Sequence, residues 1–303
     1  MAAVRRMSPL ARREERTGWL WVQSWLVGFL LFTIIPISVA IYLSFTRWSG
    51  TGAPRWVGLE NYARMVSDDL FWQGLKVTFS YALIFIPLNL VVGFCTALLM
   101  NQKLRGVNLF RAIYFLPSVL AGVAVAVLWQ FVFSTDFGML NAFLSAIGLP
   151  KVPWLTDPSW VLPAIVLMQL WGVGSTMIIY LGGLQAVPTE LYEQARVDGA
   201  GAWSSMRHIT IPMLTPVIFF QLIMGVIASF QIFTQPYIMT QGGPTFASYF
   251  YSIHIYVTAF QRLDFGYASA LSVFLFLVVM VITLALFRSS RSWVHYTGEK
   301  GGA

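Results

Sequence analysis

Residues 208–261 read HITIPMLTPVIFFQLIMGVIASFQIFTQPYIMTQGGPTFASYFYSIHIYVTAFQ, with no Asp, Glu, Lys or Arg between Arg207 and Arg262. A membrane-spanning helix takes about 20 apolar residues, and a Lys, Arg or Asp at its centre costs roughly 2.5–3.5 kcal/mol on insertion scales. Length without charge is therefore a ruler. This stretch is too long for one span and too short for two spans joined by a roomy loop. Gln235-Pro236 and the turn Thr240-Gln241-Gly242-Gly243-Pro244 break it. The reading is one helix over about 212–235, then an aromatic segment from Thr245 to Phe260 lying at the membrane interface. Tyr249, Tyr251, His254 and Tyr256 suit a headgroup region better than a bilayer centre.

Working outward, charge-free stretches recur at Trp19–Thr46, Val77–Gln102, Ala112–Thr135, Pro158–Thr189 and Phe265–Phe287. Each is about one span long, Pro158–Thr189 with a tail added. Six spans are expected, at about 19–45, 77–101, 110–134, 159–183, 212–235 and 266–287. Composition agrees. Of 303 residues, 57% are hydrophobic and 10% charged, against roughly 45–50% and 25% in soluble domains. The mean hydropathy is +0.70, and no water-soluble core of this length hides so much apolar surface. The expected fold class is an all-α, six-span membrane protein. Its first stretch, basic, then apolar, then Ser38-Val39-Ala40, has the outline of a cleaved secretory signal. The apolar run continues through Ile41–Phe45, so it is expected to stay as span one.

An even span count puts both ends on one side of the membrane, and the cations say which. Arg5, Arg6, Arg12, Arg13 and Arg16 precede span one, and Lys103, Arg105 and Arg111 lie between spans two and three. Arg196 and Arg207 lie between four and five, and Arg288, Arg291 and Lys300 follow six, giving 13 on this face. The other face holds 6: Arg47, Arg55, Arg64, Lys76, Lys151 and Arg262. By the positive-inside rule the richer face is cytoplasmic. Segment 1–18 and the tail 288–303 are thus expected inside, the former as an interfacial helix or loose near anionic lipid.

Several function classes fall away. The +7 charge does not point to nucleic acid, because the 19 cations are spread along the chain. Cys95 is the single cysteine, so neither an internal disulfide nor a thiolate metal site can form. No Lys follows a Gly and no His precedes a Glu, so a phosphate-cradling Gly-Lys pair and a two-His zinc helix are both missing. His208, His254 and His295 lie outside the span centres, which leaves an intramembrane serine hydrolase without a base. No catalytic or metal residue is assigned. An ion-coupled carrier usually places Asp, Glu, His or Arg inside its spans. The interiors of these six have none, although a sodium site built of carbonyls alone stays open. A neutral bundle with no motor needs an outside energy source, and hence a docking surface in the cytoplasm.

The cytoplasmic loop 184–211 offers one. Pro188 and Thr189 are helix-start residues, Glu190 and Glu193 suit the positive end of a helix dipole, and Gly199 suits a left-handed stop. A second short helix is expected over about 202–208, with Trp203 and Met206 on one side, until Pro212 opens span five. An ordinary linker would serve the same connection, but two capped helices around a glycine bend are more than a linker requires.

The spacing Glu193-x-Ala195, then Gly199, then Ile209-x-Ile211-Pro212 resembles the signature loop of permease subunits in binding-protein-dependent ABC importers. It departs at Gln194, where the family has Ala, and at Ile211, where it has Leu. Val57-Gly58-Leu59-Glu60-Asn61-Tyr62, Phe110 to Pro117, Asp198-Gly199-Ala200, Thr240 to Pro244 and Gly266-Tyr267-Ala268 resemble the carbohydrate branch. Coverage runs from about 19 to 288. The resemblance implies a type I importer permease with both termini cytoplasmic and the transmembrane domain at 19–287. Implied partners are a second homologous permease, a dimer of ABC ATPase subunits carrying ATP and Mg, and an extracellular solute-binding protein. The chain itself is not a catalyst and holds no cofactor. The ATPase-coupling residues would be Glu193, Ala195, Asp198, Gly199, Trp203 and Pro212, with charged contacts from Glu193 and Asp198 and anchoring by Trp203. For Trp203 an interfacial belt position stays open.

The resemblance also places the solute between the later helices, near mid-membrane. Met168, Gly172 and Ser175 share a helical face at i, i+4 and i+7, as do Gly225, Ser229 and Ile232. Gln169 and Gln231 sit beside them, and Trp129, Trp171 and Tyr180 are candidates to stack on a sugar ring. Close helix packing uses the same small residues, so that alternative stays open. A neutral sugar fits a path without charge. A glycerol-phosphate-type polyol would want an Arg or Lys, which only a partner subunit would supply.

Overall fold

The computed structural model describes residues 9–102 and 105–295. Arg5, Arg6, Lys103 and Lys300, which carry part of the orientation reading, lie outside the described residues, as do 1–8 and 296–303 of the two end segments.

The chain divides into two compact units, the first Met1–Val66 with Thr258–Phe274, the second Ser67–Val257 with Leu275–Ala303. In the first unit, α1 (Pro9–Phe29) passes through a π-helical turn at Leu30–Ile34 into α2 (Ile35–Ser44). A two-residue hairpin of β1 (Thr46–Arg47) and β2 (Arg55–Trp56) pairs Thr46 with Trp56 and Arg47 with Arg55. α3 (Glu60–Val66) follows. Its buried Asn61 donates to the carbonyls of Ser44 and Thr46, both at 2.9 Å, and so pins the end of α2 to the hairpin.

The second unit begins with α4 (Asp69–Met100), about 48 Å long at 1.5 Å per residue. Asp68 caps it by accepting from the Leu70 and Phe71 amides. Then come α5 (Val107–Val119), α6 (Gly122–Val132), α7 (Met139–Ala146), α8 (Val161–Trp171) and α9 (Gly174–Ala186). α10 (Thr189–Val197), α11 (Ala202–Ser205), α12 (Ile211–Phe230), α13 (Thr234–Thr240) and α14 (Tyr251–Tyr256) follow. α15 (Phe265–Ser290) is the last helix among the described residues. One core gathers Tyr81, Phe133, Ile165, Met168, Phe250 and Ile253. A second gathers Ala97, Met177, Tyr180, Leu184 and Leu214 from α4, α9 and α12.

Among the described residues, four helices are long and apolar enough to cross a membrane: Arg13–Ser44, Asp69–Met100, Ala202–Thr240 and Phe265–Ser290. Counting two bent pairs as spans gives up to six. The bends are where the structure departs from the straight helices expected. The stretch 110–134 turns by 101° between α5 and α6. Pro117 lacks a donor there, and Leu120 and Ala121 take extended backbone. The stretch 159–183 bends by 49° between α8 and α9. Within Ala202–Thr240 the regular helix is interrupted after Phe230 and resumes at Thr234, where Pro236 has no amide to bond the Ile232 carbonyl.

From Tyr249 to His254 the aromatic segment packs largely inside the second unit. Tyr249, Phe250, Tyr251, Ile253 and His254 are buried. The Tyr251 amide donates to Thr78 Oγ1 at 3.0 Å, and the absent side chain of Gly74 lets this backbone lie against α4. His254 sits between the Tyr249 hydroxyl, at 3.2 Å, and Asp68, at 3.3 Å. Paired polar atoms make burial of these rings affordable.

Candidate functional site

A cavity of about 590 Å³ opens within the second unit. α4 contributes Phe85 and Asn89, and the α5–α6 bend contributes Pro117, Ser118 and Gly122. The α8–α9 bend contributes Met168, Gln169, Trp171, Gly172, Ser175 and Thr176. α12 presents Gln221, Gly225 and Ala228, spaced i, i+4 and i+7, and Gln235 enters from α13. Both bends thus serve the cavity, since each opens a helix where the wall is needed.

No lining residue is charged. Its polarity comes from carboxamides and hydroxyls. Asn89 donates to Thr176 Oγ1 at 3.2 Å, and Gln221 donates to the Thr176 carbonyl at 3.3 Å. With their NH₂ groups committed to α9, these amides keep oxygen acceptors for a ligand. Gln169 bonds Tyr81. Gln235 reaches Gly122 so closely that a Cβ there would meet its nitrogen at 3.1 Å. Such a wall suits a ligand rich in hydroxyl groups, each able to donate and accept.

Of the path residues expected from the sequence, Met168, Gln169, Gly172, Ser175 and Gly225 line the cavity. Ser229, Gln231 and Ile232 do not. The helical period ends with α12 at Phe230 and does not reach Gln231, which is exposed, or Ile232, which is in the core. Ser229 is buried with its hydroxyl unpartnered among the described residues. Trp171 lines the cavity, whereas Tyr180 packs edge-on against Phe94 in the core and Trp129 packs against Trp171. Asn89, Gln221 and Gln235 are lining residues the sequence reading missed. A lone carboxamide in an apolar run was the available signal for the first two.

The loop between α9 and α12 forms a second feature. α10 ends at Val197 with Asp198 as its C-cap, and Gly199 turns left-handed with φ +79°. The Gly199 amide bonds the Arg196 carbonyl at 3.0 Å and the Ala200 amide bonds the Ala195 carbonyl at 2.8 Å. This pair of bonds is a Schellman stop. Ala195 therefore matters through its backbone. Glu193, Asp198 and Trp203 are exposed, as is Val197, which is 88% exposed and was not singled out from the sequence. Trp203 is 73% exposed, so nothing among the described residues covers it. The second loop helix does not end before Pro212 as expected. α11 runs through a π-helical turn at Met206–Thr210 straight into α12, with the Ile211 amide bonding the Met206 carbonyl. The wide turn accommodates a proline that brings no donor. Tyr192 bonds Thr210 at 2.9 Å and ties α10 to that turn. The hairpin is thus joined by continuous helix to the element that lines the cavity.

Over residues 90–294 the sequence matches the family described as binding-protein-dependent transport system inner membrane component. It is 38% identical to the probable ABC transporter permease protein YesP of Bacillus subtilis (strain 168), over 95% of each chain. It is 33% identical to the trehalose/maltose transport system permease protein MalF of Thermococcus litoralis, over 94% of this chain and 97% of that one. A crystal structure of a bacterial ABC transporter involved in the import of the acidic polysaccharide alginate contains a chain 26% identical to this one. The match has a TM-score of 0.80 and covers 94% of this chain and 99% of that one.

Proposed function

The chain belongs to the binding-protein-dependent transport system inner membrane component family, and from that premise we propose that it is the permease subunit of an ATP-driven sugar importer. It crosses the membrane six times with both ends in the cytoplasm, the arrangement favoured by the 13 cations on one face against 6 on the other. It pairs with a second permease, receives solute from an extracellular binding protein and docks on two ATPase subunits that hold ATP and Mg. The Glu193–Trp203 hairpin is the docking element. Val197 and Trp203 offer buried anchoring and Glu193 and Asp198 offer charged contacts. Because α11 continues into α12, a push on the hairpin moves a wall of the cavity.

The charge-free, carboxamide-lined cavity is the observation that carries the sugar reading. A phosphorylated polyol would need a cation, and the lining has none. A trehalose/maltose permease among the relatives supports the same class. In the assembled importer, Asn89→Leu and Gln221→Leu should each raise the half-saturating sugar concentration about 3- to 10-fold, the loss of one net hydrogen bond of about 0.5–1.5 kcal/mol. Transport kinetics in proteoliposomes would check this. Unchanged half-saturation in both variants would remove the cavity from the solute path.

A further inference from the structure

The first unit holds a recess of about 270 Å³ walled by Arg47, Trp48, Glu60, Arg64, Arg262 and Asp264. Three guanidinium groups face two carboxylates. Arg47 pairs with Glu60, and Arg64 pairs with Asp264 at 2.7 Å while its guanidinium lies 4.1 Å from the centre of the Tyr267 ring. Arg262 has no ion-pair or hydrogen-bond partner among the described residues. The recess therefore carries one uncompensated cation.

Its frame is built tightly. Leu263, between Arg262 and Asp264, is held at φ +54°, a conformation that costs a branched residue energy and persists where its surroundings enforce it. The Asp264 amide bonds the Thr258 carbonyl at 3.0 Å, and the Gly266 amide bonds the Trp48 carbonyl at 3.2 Å. A Cβ on Gly266 would lie 2.0 Å from the Thr46 carbonyl oxygen, so only glycine fits there. The Trp48 ring packs on Phe265, and Asn61 clamps the hairpin from the other side. The outward charges of this unit are Arg47, Arg55, Arg64 and Arg262 against Glu60 and Asp264. Those outside the cytoplasmic face in the other unit are Lys76 and Lys151 against Asp68, Asp69, Asp136 and Asp157. The outward cation excess is confined to the unit that holds the recess.

We infer that this recess is a socket for a carboxylate side chain on the surface of the solute-binding protein, received by Arg262 and flanked by Arg47 and Arg64. The inference rests on the importer reading, which makes this face extracellular and supplies the partner. Guanidinium groups suit a carboxylate because they form paired, charge-assisted hydrogen bonds. A preformed socket loses little freedom on docking.

The test uses the assembled transporter in nanodiscs, with the binding protein that supports uptake by the unaltered complex. The readout is the binding-protein concentration giving half-maximal stimulation of ATP hydrolysis at 50 mM salt. Arg262→Glu should raise it at least tenfold, Arg262→Gln less, and Arg262→Lys least. Salt at 300 mM should shrink these differences. Lys76→Glu, an outward charge outside the recess, should not move the value. Unchanged half-saturation for Arg262→Glu, or an equal shift for Lys76→Glu, would overturn the socket. A shift that follows anionic-lipid content rather than binding-protein concentration would assign the recess to lipid and overturn it too. A complex that no binding protein stimulates, before any substitution, would instead contradict the importer reading.

Discussion

Gly199 adopts φ +79°, and a Cβ placed there would meet nothing within 4 Å. Substitution therefore strains the backbone alone, by about 1–2 kcal/mol for an ordinary residue in the left-handed region. Gly199→Val should leave the subunit in the membrane but lower sugar uptake about tenfold while the complex still hydrolyses ATP. Gly199→Asn, which tolerates this backbone, should keep most uptake. The check is sugar transported per ATP consumed, and normal uptake by the valine variant would remove the bend from the coupling route. This residue was legible from its spacing, because a left-handed stop favours glycine. Asn89 and Gln221 were not, since single polar residues in long apolar runs carry no period of their own. Only the fold brings both to Thr176.

At the scale of elements, α5 and α9 touch backbone to backbone. A Cβ on Gly174 would lie 2.2 Å from the Tyr114 carbonyl oxygen and 2.7 Å from the Phe115 Cα. Neither can rotate away, so Gly174→Ala should cost about 1–3 kcal/mol or force the helices apart. It should lower the melting temperature of the purified protein by about 2–4 °C per kcal/mol. Gly182→Ala, with open space around it on the same helix, should be neutral or slightly stabilising. In the first unit, Asn61→Ala should cost about 1–3 kcal/mol by stranding the Ser44 and Thr46 carbonyls. Thermal unfolding reads both effects. Gaps between charges located the long helices because inserting charge is costly wherever it falls. They carried no information on bends. Pro117 and Pro236 were present in the sequence, but the direction and 101° extent of the first bend depend on what packs against it. The packing of Tyr249, Tyr251 and His254 inside the protein was illegible for a related reason. Tyr and His favour an interface when unpaired, and here Thr78, Asp68 and Tyr249 pair the interior groups.

At the scale of the whole molecule, the chain combines a neutral cavity with a hairpin joined by continuous helix to one of its walls. On the proposed function it is a gate worked by ATPase partners. The most direct measurement is sugar accumulation in proteoliposomes, comparing the purified chain alone under an imposed ion gradient with the complete complex supplied with binding protein and ATP. The complex should accumulate sugar against its gradient, and the chain alone should not. Uphill accumulation by the chain alone, with no ATPase present, would contradict the account.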